Sequence, residues 1–538
     1  MEDRTFDAIV IGAGFSGLYA LHKLRALGLR TRAFEQADGV GGTWLWNRYP
    51  GARCDLESIE YSYSFSKEIE QEWNWTELMP AQPEIEAYLN FAADRLDLRR
   101  DIRFNTRVAA LAFDETTATW CMETDCGERY RAQFVIAATG LLSVPLDPAF
   151  PGMETFAGEA VFSNRYPRDG VAFDGRRVAL IGTGSSGVQS VPVVARAAQH
   201  LYVLQRSAAY TLPSPARVYE PGEFEALKAD YVAIRDAQRS ARAGAARTSA
   251  FAVMAQAEAR PPLKTASRAE QLRAIEEYGV QGALFWSDVT HDMEAGDMAR
   301  RLYGEAVARI VNDPETAASL VPDYPFGCKR PIIDSGYYET FNRDNVTLVD
   351  LKKTPIVEIA AQGIRTTQDF LEVDTILYAT GFDAMTGALT RIDIRGRDGA
   401  RLREKWSAEG PASYLGLLVA GFPNLFTLIG PGSPGALANV VSSLEFQVDW
   451  VADCIAHLRA RGLRTVEANG EAQAAWVDHM NALVEGSVAL HPSCNSWWNG
   501  ANVPGKKRVF TSYASGLPEY RRHCEEATAR GYAGFTLS

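Results

Sequence analysis

Short apolar runs punctuated by glycine dominate the hydrophobic pattern of this chain. Asp7-Ala8-Ile9-Val10-Ile11 is apolar and β-branched on both faces, as a strand buried in a parallel sheet should be. It runs into Gly12-Ala13-Gly14-Phe15-Ser16-Gly17 and then Leu18-Tyr19-Ala20-Leu21-His22-Lys23-Leu24, whose spacing predicts a helix. The next apolar run, Thr31-Arg32-Ala33-Phe34, ends at Glu35, 23 residues after Gly12. The pattern recurs as Arg177-Val178-Ala179-Leu180-Ile181, then Gly182-Thr183-Gly184-Ser185-Ser186-Gly187 and Val188-Gln189-Ser190-Val191. Its following strand, Leu201-Tyr202-Val203-Leu204, ends at Gln205-Arg206-Ser207. Pro192 falls inside the second helix and predicts a kink or distorted turn there. Two further strands run into Ala-Thr-Gly, one ending at Thr139-Gly140 and the other at Thr380-Gly381. Strands of that kind close dinucleotide-binding domains.

Each glycine loop is a phosphate cradle. The first glycine makes the tight turn and the second admits the backbone to a pyrophosphate. The third lets helix pack on strand, and the helix N-terminus holds the phosphates. A carboxylate at Glu35 suits the hydroxyls of an adenosine ribose, so the first site reads as FAD. Arg206 and Ser207 stand where the second copy would have that carboxylate. A guanidinium pairs with a 2′-phosphate that a carboxylate would repel, so the second site reads as NADPH.

At 538 residues the chain should divide into about three or four units. With 46% apolar and 23% charged residues it is an ordinary globular chain, neither disordered nor fibrous. A net charge of −12 argues against nucleic acid or an anionic membrane as partner. The longest apolar stretch, residues 414–430, is broken by Pro423 and Asn424 and is too short for a membrane span. The acidic start, Met1-Glu2-Asp3-Arg4, is no signal peptide. The seven cysteines (Cys54, Cys121, Cys126, Cys328, Cys454, Cys494, Cys524) are odd in number and scattered, with no CxxC and no metal-ligand spacing. They predict a reduced, cytoplasmic, metal-free protein, expected as a monomer or weak oligomer. Residues 216–328 are rich in Ala, Arg and Glu at helical spacing, which predicts a helical insertion whose alternating charges form a solvated face.

The most specific window is Gly41-Gly42-Thr43-Trp44-Leu45-Trp46-Asn47-Arg48-Tyr49-Pro50-Gly51-Ala52-Arg53-Cys54-Asp55. It resembles the fingerprint G-G-x-W-x(4)-[FY]-P-G-x(3)-D of the type I Baeyer–Villiger monooxygenases, terminal Asp55 included. The resemblance extends over almost the whole chain. Pro325-Phe326-Gly327-Cys328-Lys329-Arg330-Pro331 resembles the segment carrying that family's active-site arginine, which falls on Arg330. Ser496-Trp497-Trp498-Asn499-Gly500 resembles the loop that closes over the nicotinamide cofactor, and residues 430–437 its substrate-side loop. The implied fold is α/β: two nested Rossmann-like dinucleotide-binding domains with a helical insertion. Residues 1–145 and 385–538 would bind FAD. Residues 150–215 and 330–380 would bind NADP, with 216–328 inserted in the NADP domain. Gly42, Thr43, Trp44, Asp55 and Tyr61 join the flavin-side set, and Lys329, Gln189, Thr380, Gly381 and Trp497 the nicotinamide-side set. One departure stands out. The family's linker fingerprint, F-x-G-x(3)-H-x(3)-W-P-x-D, has Phe162 in place of histidine and Tyr166 in place of tryptophan.

The activity implied is insertion of one oxygen atom of O2 beside a ketone carbonyl, through a C4a-peroxyflavin, to give an ester or lactone, with thioethers also oxidised. Arg330, which cannot lose its proton, would stabilise the developing negative charge, and Asp55 would orient it. Two other classes stay open. An N- or S-oxygenating flavin monooxygenase needs no such cation, and Tyr166 is closer to that class. A non-oxygenating reductase of the disulfide type needs a redox cysteine pair, and Cys121 and Cys126, separated by four residues in a strand-rich stretch, do not supply one.

Overall fold

The computed structural model describes residues 4–247 and 260–538; Met1, Glu2 and Asp3 and the middle of the 216–328 stretch lie outside the described residues. Both β-branched runs form central strands, because a strand apolar on both faces is stable only with layers on each side. In the first sheet Thr5–Ile11 lies between Thr31–Phe34 and Arg129–Ala137, parallel to both. An antiparallel extension, Val108–Asp114 and Thr119–Thr124, continues this eight-stranded sheet to Asp393–Arg395, and Leu425–Thr427 adds beside Arg129–Ala137. The second sheet holds Val346–Asp350, His200–Gln205, Arg177–Ile181, Thr375–Tyr378 and Glu159–Phe162, all parallel. Because Asp393–Arg395 and Leu425–Thr427 return to the first sheet after the second is complete, the two Rossmann-like units are nested.

The two crossing segments run antiparallel beside each other. Leu146 N–H donates to Gly381 O (3.0 Å) and Asp383 N–H to Val144 O (2.9 Å). At the same joint Phe162 stacks on Tyr378 with ring centroids 4.8 Å apart, and the Arg165 guanidinium lies 4.1 Å from the Phe162 centroid. The aromatic ring that replaces the fingerprint histidine is therefore an element of the hinge.

The stretch 216–328 divides between two cores. Tyr219, Phe224, Tyr231 and Ile234 join the core of the first unit, while Leu263, Ile275, Tyr303 and Phe326 join that of the second. The expected solvated face is corrected here. Arg235, on the helix Tyr231–Ser240, is buried in an ion pair with Glu70 (2.8 Å), and Gln238 donates to Glu60 O and Ser442 Oγ. These groups are buried because the helix packs on the first unit rather than on water. The helix Ser185–Ala197 continues unbroken through Pro192, contrary to the expected distortion. The missing N–H removes one ladder bond, and the buried Pro192 ring packs within the helix's apolar face.

A second correction concerns the cysteines. Cys328 and Cys494 form a disulfide, with Cα atoms 5.4 Å apart across a sequence separation of 166; the other five are free thiols. The expected all-reduced set fails because the C-terminal chain crosses onto the second unit, where Val488 and Cys494 enter its core. Among the described residues no helix is long and apolar enough to cross a membrane.

Candidate active site

The first glycine loop is shaped by one close approach. Gly12 has φ +107°, and a Cβ there would sit 2.5 Å from Ala138 O at the end of the neighbouring strand. The helix Phe15–Ala26 begins at Gly14 with no side-chain cap and no acid in its first turn, so its leading N–H groups and dipole are directed at an anion. Residues 41 and 42 roof this turn: Gly41 N–H donates to Ala13 O (3.1 Å), and a Cβ on Gly14 would touch Gly42 Cα at 3.3 Å. Glu35 is buried, accepting from the N–H groups of Ala13 (2.8 Å) and Ala37 (2.9 Å). Burial pushes its carboxyl above the usual range, against the pull of those N–H groups. Beyond the roof, Thr43–Trp46 forms one helical turn, and Trp44 Nε1 donates to Tyr61 OH (3.1 Å). The Tyr61 ring meets Phe15 edge-on at 5.3 Å.

The second loop repeats the turn. Gly182 has φ +109°, and its Cβ would lie 2.4 Å from Ala379 O. The helix starts at Gly184, again without side-chain cap or acid, but a Cβ on Gly184 would meet nothing within 4 Å. Thr183 Oγ1 donates to Ser207 O (2.8 Å), which holds the loop to the end of the next strand. Ser185 is exposed at the helix start and Ser186 half-buried. Arg206 is exposed. Lys329 stands close enough that, after burial, the Arg206 charge is what most lowers its pKa. The Lys329 ammonium rests 4.4 Å from the Tyr324 ring centroid. Two neighbouring cations, with no carboxylate paired to Arg206 among the described residues, suit a doubly charged phosphate.

Two residues expected at the cofactor have structural partners. Gln189 accepts from Tyr49 OH (2.9 Å) and donates to Arg53 O (3.1 Å), clasping the 41–55 loop to the second unit. Thr380 Oγ1 donates to Leu146 O (2.8 Å) and Gly381 takes the left-handed turn after it, so both shape the joint between units.

That clasp aims Asp55. Its Oδ2 accepts from Arg330 Nη2, 275 residues away in sequence, with both side chains about a quarter exposed. A cation on the 325–331 segment and a carboxylate on the 41–55 loop are thus paired. The adjacent Cys54 thiol is pushed well above its ordinary range, first by burial and then by Asp55, which keeps it neutral and unreactive.

The C-terminal loop is tied to the segment carrying Arg330 by the Cys328–Cys494 bridge. Trp497 is half-buried beside buried Trp498, packing with Phe510, Ala436, Leu437 and Leu141. Lys506 Nζ donates to Asp383 Oδ1 (2.6 Å) and Ala384 O (3.0 Å), and Asn502 Nδ2 to Phe382 O (2.8 Å). Sequence reasoning missed Lys506, Asp383 and Asn502. Gly-Lys-Lys and Ala-Thr-Gly-Phe-Asp were both visible, but nothing local pairs two segments over a hundred residues apart.

Two cradles of this kind on one chain define a two-dinucleotide flavoprotein. The flavin-binding monooxygenase-like family model matches residues 7–224. Over the full length of both chains the protein is 40% identical to acetone monooxygenase (methyl acetate-forming) of Gordonia sp. (strain TY-5). It is 38% identical, over 100% of this chain and 98% of the other, to phenazine N-monooxygenase PhzNO1 of Lysobacter antibioticus. An oxidized steroid monooxygenase bound to NADP superposes with a TM-score of 0.90 at 46% identity, covering 99% of each chain. The chain belongs to the Baeyer–Villiger monooxygenase family.

Proposed function

We propose that this protein is an FAD- and NADPH-dependent monooxygenase that inserts one atom of O2 next to a ketone carbonyl, giving an ester or lactone, and that it also sulfoxidises thioethers. The observation that carries the reading is Arg330 held by Asp55 of the 41–55 loop, whose first residues roof the first glycine turn. The uncapped helix start at residues 14–17, with Gly12, Glu35, Gly42, Thr43, Trp44 and Tyr61, fits FAD. The open start at residues 184–187, with Gly182, Thr183, Arg206, Ser207 and Lys329, fits NADPH, and Trp497 would cover it. When bound, the two cofactors supply hydride transfer and oxygen activation.

The chain's own part is electrostatic and steric. Arg330 presents the positive charge of its guanidinium to oxygen atoms that gain negative charge during insertion. Asp55 fixes the plane of that guanidinium, so no reorientation is needed as charge develops. Trp497, Trp498 and Phe510 keep water from the site, which strengthens the same interaction. The relatives at 40% and 46% identity named for acetone and steroid oxygenation support a ketone as the substrate class. The N-oxygenating relative at 38% keeps heteroatom oxygenation as the second reading. We place the enzyme in the cytoplasm, where NADPH is regenerated, as a monomer or weak oligomer; the net charge of −12 supports the absence of a nucleic-acid partner.

The test is NADPH consumption with cyclic, linear and aryl ketones, a thioether and an aromatic amine, with products identified. Ester or lactone from a ketone is expected. Sulfoxide or N-oxide together with no ester from any ketone would overturn the reading.

A further inference from the structure

We propose that Cys328 and Cys494 are a positioning pair for this reaction. Their disulfide fixes the loop carrying Trp497 against the segment carrying Arg330, and its redox state sets how NADPH electrons divide between product and hydrogen peroxide. The inference rests on the function proposed above.

Both cysteines are fully buried in the core of the second unit. Cys328 directly precedes Lys329 and Arg330, and Cys494 stands three residues before Trp497. The bridge therefore joins the cationic centre to its cover. The Cys494 carbonyl is a second anchor, accepting from Asn499 Nδ2 (3.0 Å) and Arg508 Nη2 (2.8 Å). The other end of the loop is held to the joint between units by the polar contacts of Asn502 and Lys506 with residues 382–384. Such contacts break and re-form as units move, whereas the covalent anchor does not. A loop pinned at one end and latched at the other returns to one place each time the latch closes. With the bridge reduced, both ends are latches, and the cover over Arg330 seats less often.

The chemistry closes on the enzyme itself. Two thiols and one hydrogen peroxide give one disulfide and two waters. An S–S bond forms, the O–O bond breaks, the sulfurs together lose two electrons, and both thiol protons leave in water. Hydrogen peroxide is the by-product when NADPH is oxidised without substrate being oxygenated, so a leaking enzyme makes the oxidant that re-seats its own loop. A dithiol reverses the step by exchange, taking the bridge back to two thiols and leaving as its own disulfide. The remaining cysteines offer no equivalent pair. Cys54, Cys121, Cys126, Cys454 and Cys524 are all unbridged.

The test begins with thiol counting on the denatured holoenzyme, before and after dithiothreitol. Five thiols rising to seven are expected. Native wild type is then assayed in its five-thiol, reduced and peroxide-reoxidised states. Reduction should raise the KM for NADPH roughly fivefold, the effect of about one lost contact. It should also raise the peroxide fraction, leave the rate of flavin reduction at saturating NADPH unchanged, and be reversed by reoxidation. Cys494→Ser and Cys328→Ser should both match the reduced enzyme and ignore dithiothreitol and peroxide. Seven thiols before and after peroxide treatment, or equal KM and peroxide fraction in the two redox states, would overturn the proposal, as would a Cys494→Ser enzyme that still responds. If neither variant folds, the wild-type redox series decides alone. If no ketone is oxygenated, the functional reading fails, while thiol counts and NADPH-driven peroxide formation still decide this one.

Discussion

The two dinucleotide units share one turn and differ in what surrounds it. Gly12 and Gly182 have φ +107° and +109°, and their missing Cβ atoms would stand 2.5 and 2.4 Å from the carbonyls of Ala138 and Ala379. Both following helices start uncapped. The first turn is roofed by residues 41 and 42 and ends at a buried carboxylate held by two N–H groups. The second is open above Gly184 and ends at an exposed guanidinium with Lys329 alongside. One backbone device therefore serves two tasks. A roofed site suits a cofactor that stays through turnover, and an open cationic one suits a cofactor that must leave each cycle.

The largest effect should come from the shared turn. An alanine at either first glycine faces a backbone carbonyl and a positive φ costing about 1–2 kcal/mol. Gly12→Ala should purify with essentially no flavin. Gly182→Ala should keep its flavin and lose NADPH oxidation about thirtyfold or more, the equivalent of ~2 kcal/mol. Flavin absorbance and anaerobic reduction distinguish the two, and loss of the same cofactor in both would break the assignment.

Arg330 belongs to neither turn and should matter after both have acted. Arg330→Ala should retain flavin and its reduction by NADPH, while ester formation falls roughly 10²–10³-fold, as when one preorganised donor is removed. Product analysis beside stopped-flow reduction checks this, and substantial ester from the variant would remove Arg330 from the role. Arg206→Ala sharpens the contrast in end residues. It should raise the KM for NADPH roughly tenfold, the loss of one charge-assisted bond of about 1.5–3 kcal/mol, and leave that for NADH nearly unchanged. Equal losses for both would place the 2′-phosphate elsewhere.

The smallest effect is expected at the joint. Phe162→His removes a ring stacked on Tyr378 beneath the Arg165 guanidinium, a contact of about 0.5–1 kcal/mol at a partly exposed site. The peroxide fraction should shift less than about fivefold at that energy, with the product unchanged. A change from ester to sulfoxide as sole product would show that the linker selects the chemistry.

The two cradles were legible because each is local. Strand, turn, helix and end residue follow one another within a short stretch, and the constraints are backbone sterics and the helix dipole, which depend on near neighbours. Glu35 and Arg206 could be placed by counting from a glycine. Asp55 and Arg330 were marked by resemblance, while their contact across 275 residues is a property of the fold. Arg235 shows the limit of periodicity. Helical spacing made it one more charge on a wet face, and only the packing of Tyr231–Ser240 on the first unit supplied Glu70 and removed the water. The cysteines show the same limit: their spacing carries no distance, so the Cys328–Cys494 bridge depends on where the C-terminal chain crosses between units. By itself the sequence determined two phosphate cradles of opposite charge preference, because local backbone geometry admits few alternatives. The tertiary structure alone decided that Asp55 meets Arg330, how the C-terminal loop is anchored and which charges are buried, because those follow from surfaces that meet only after the chain has folded.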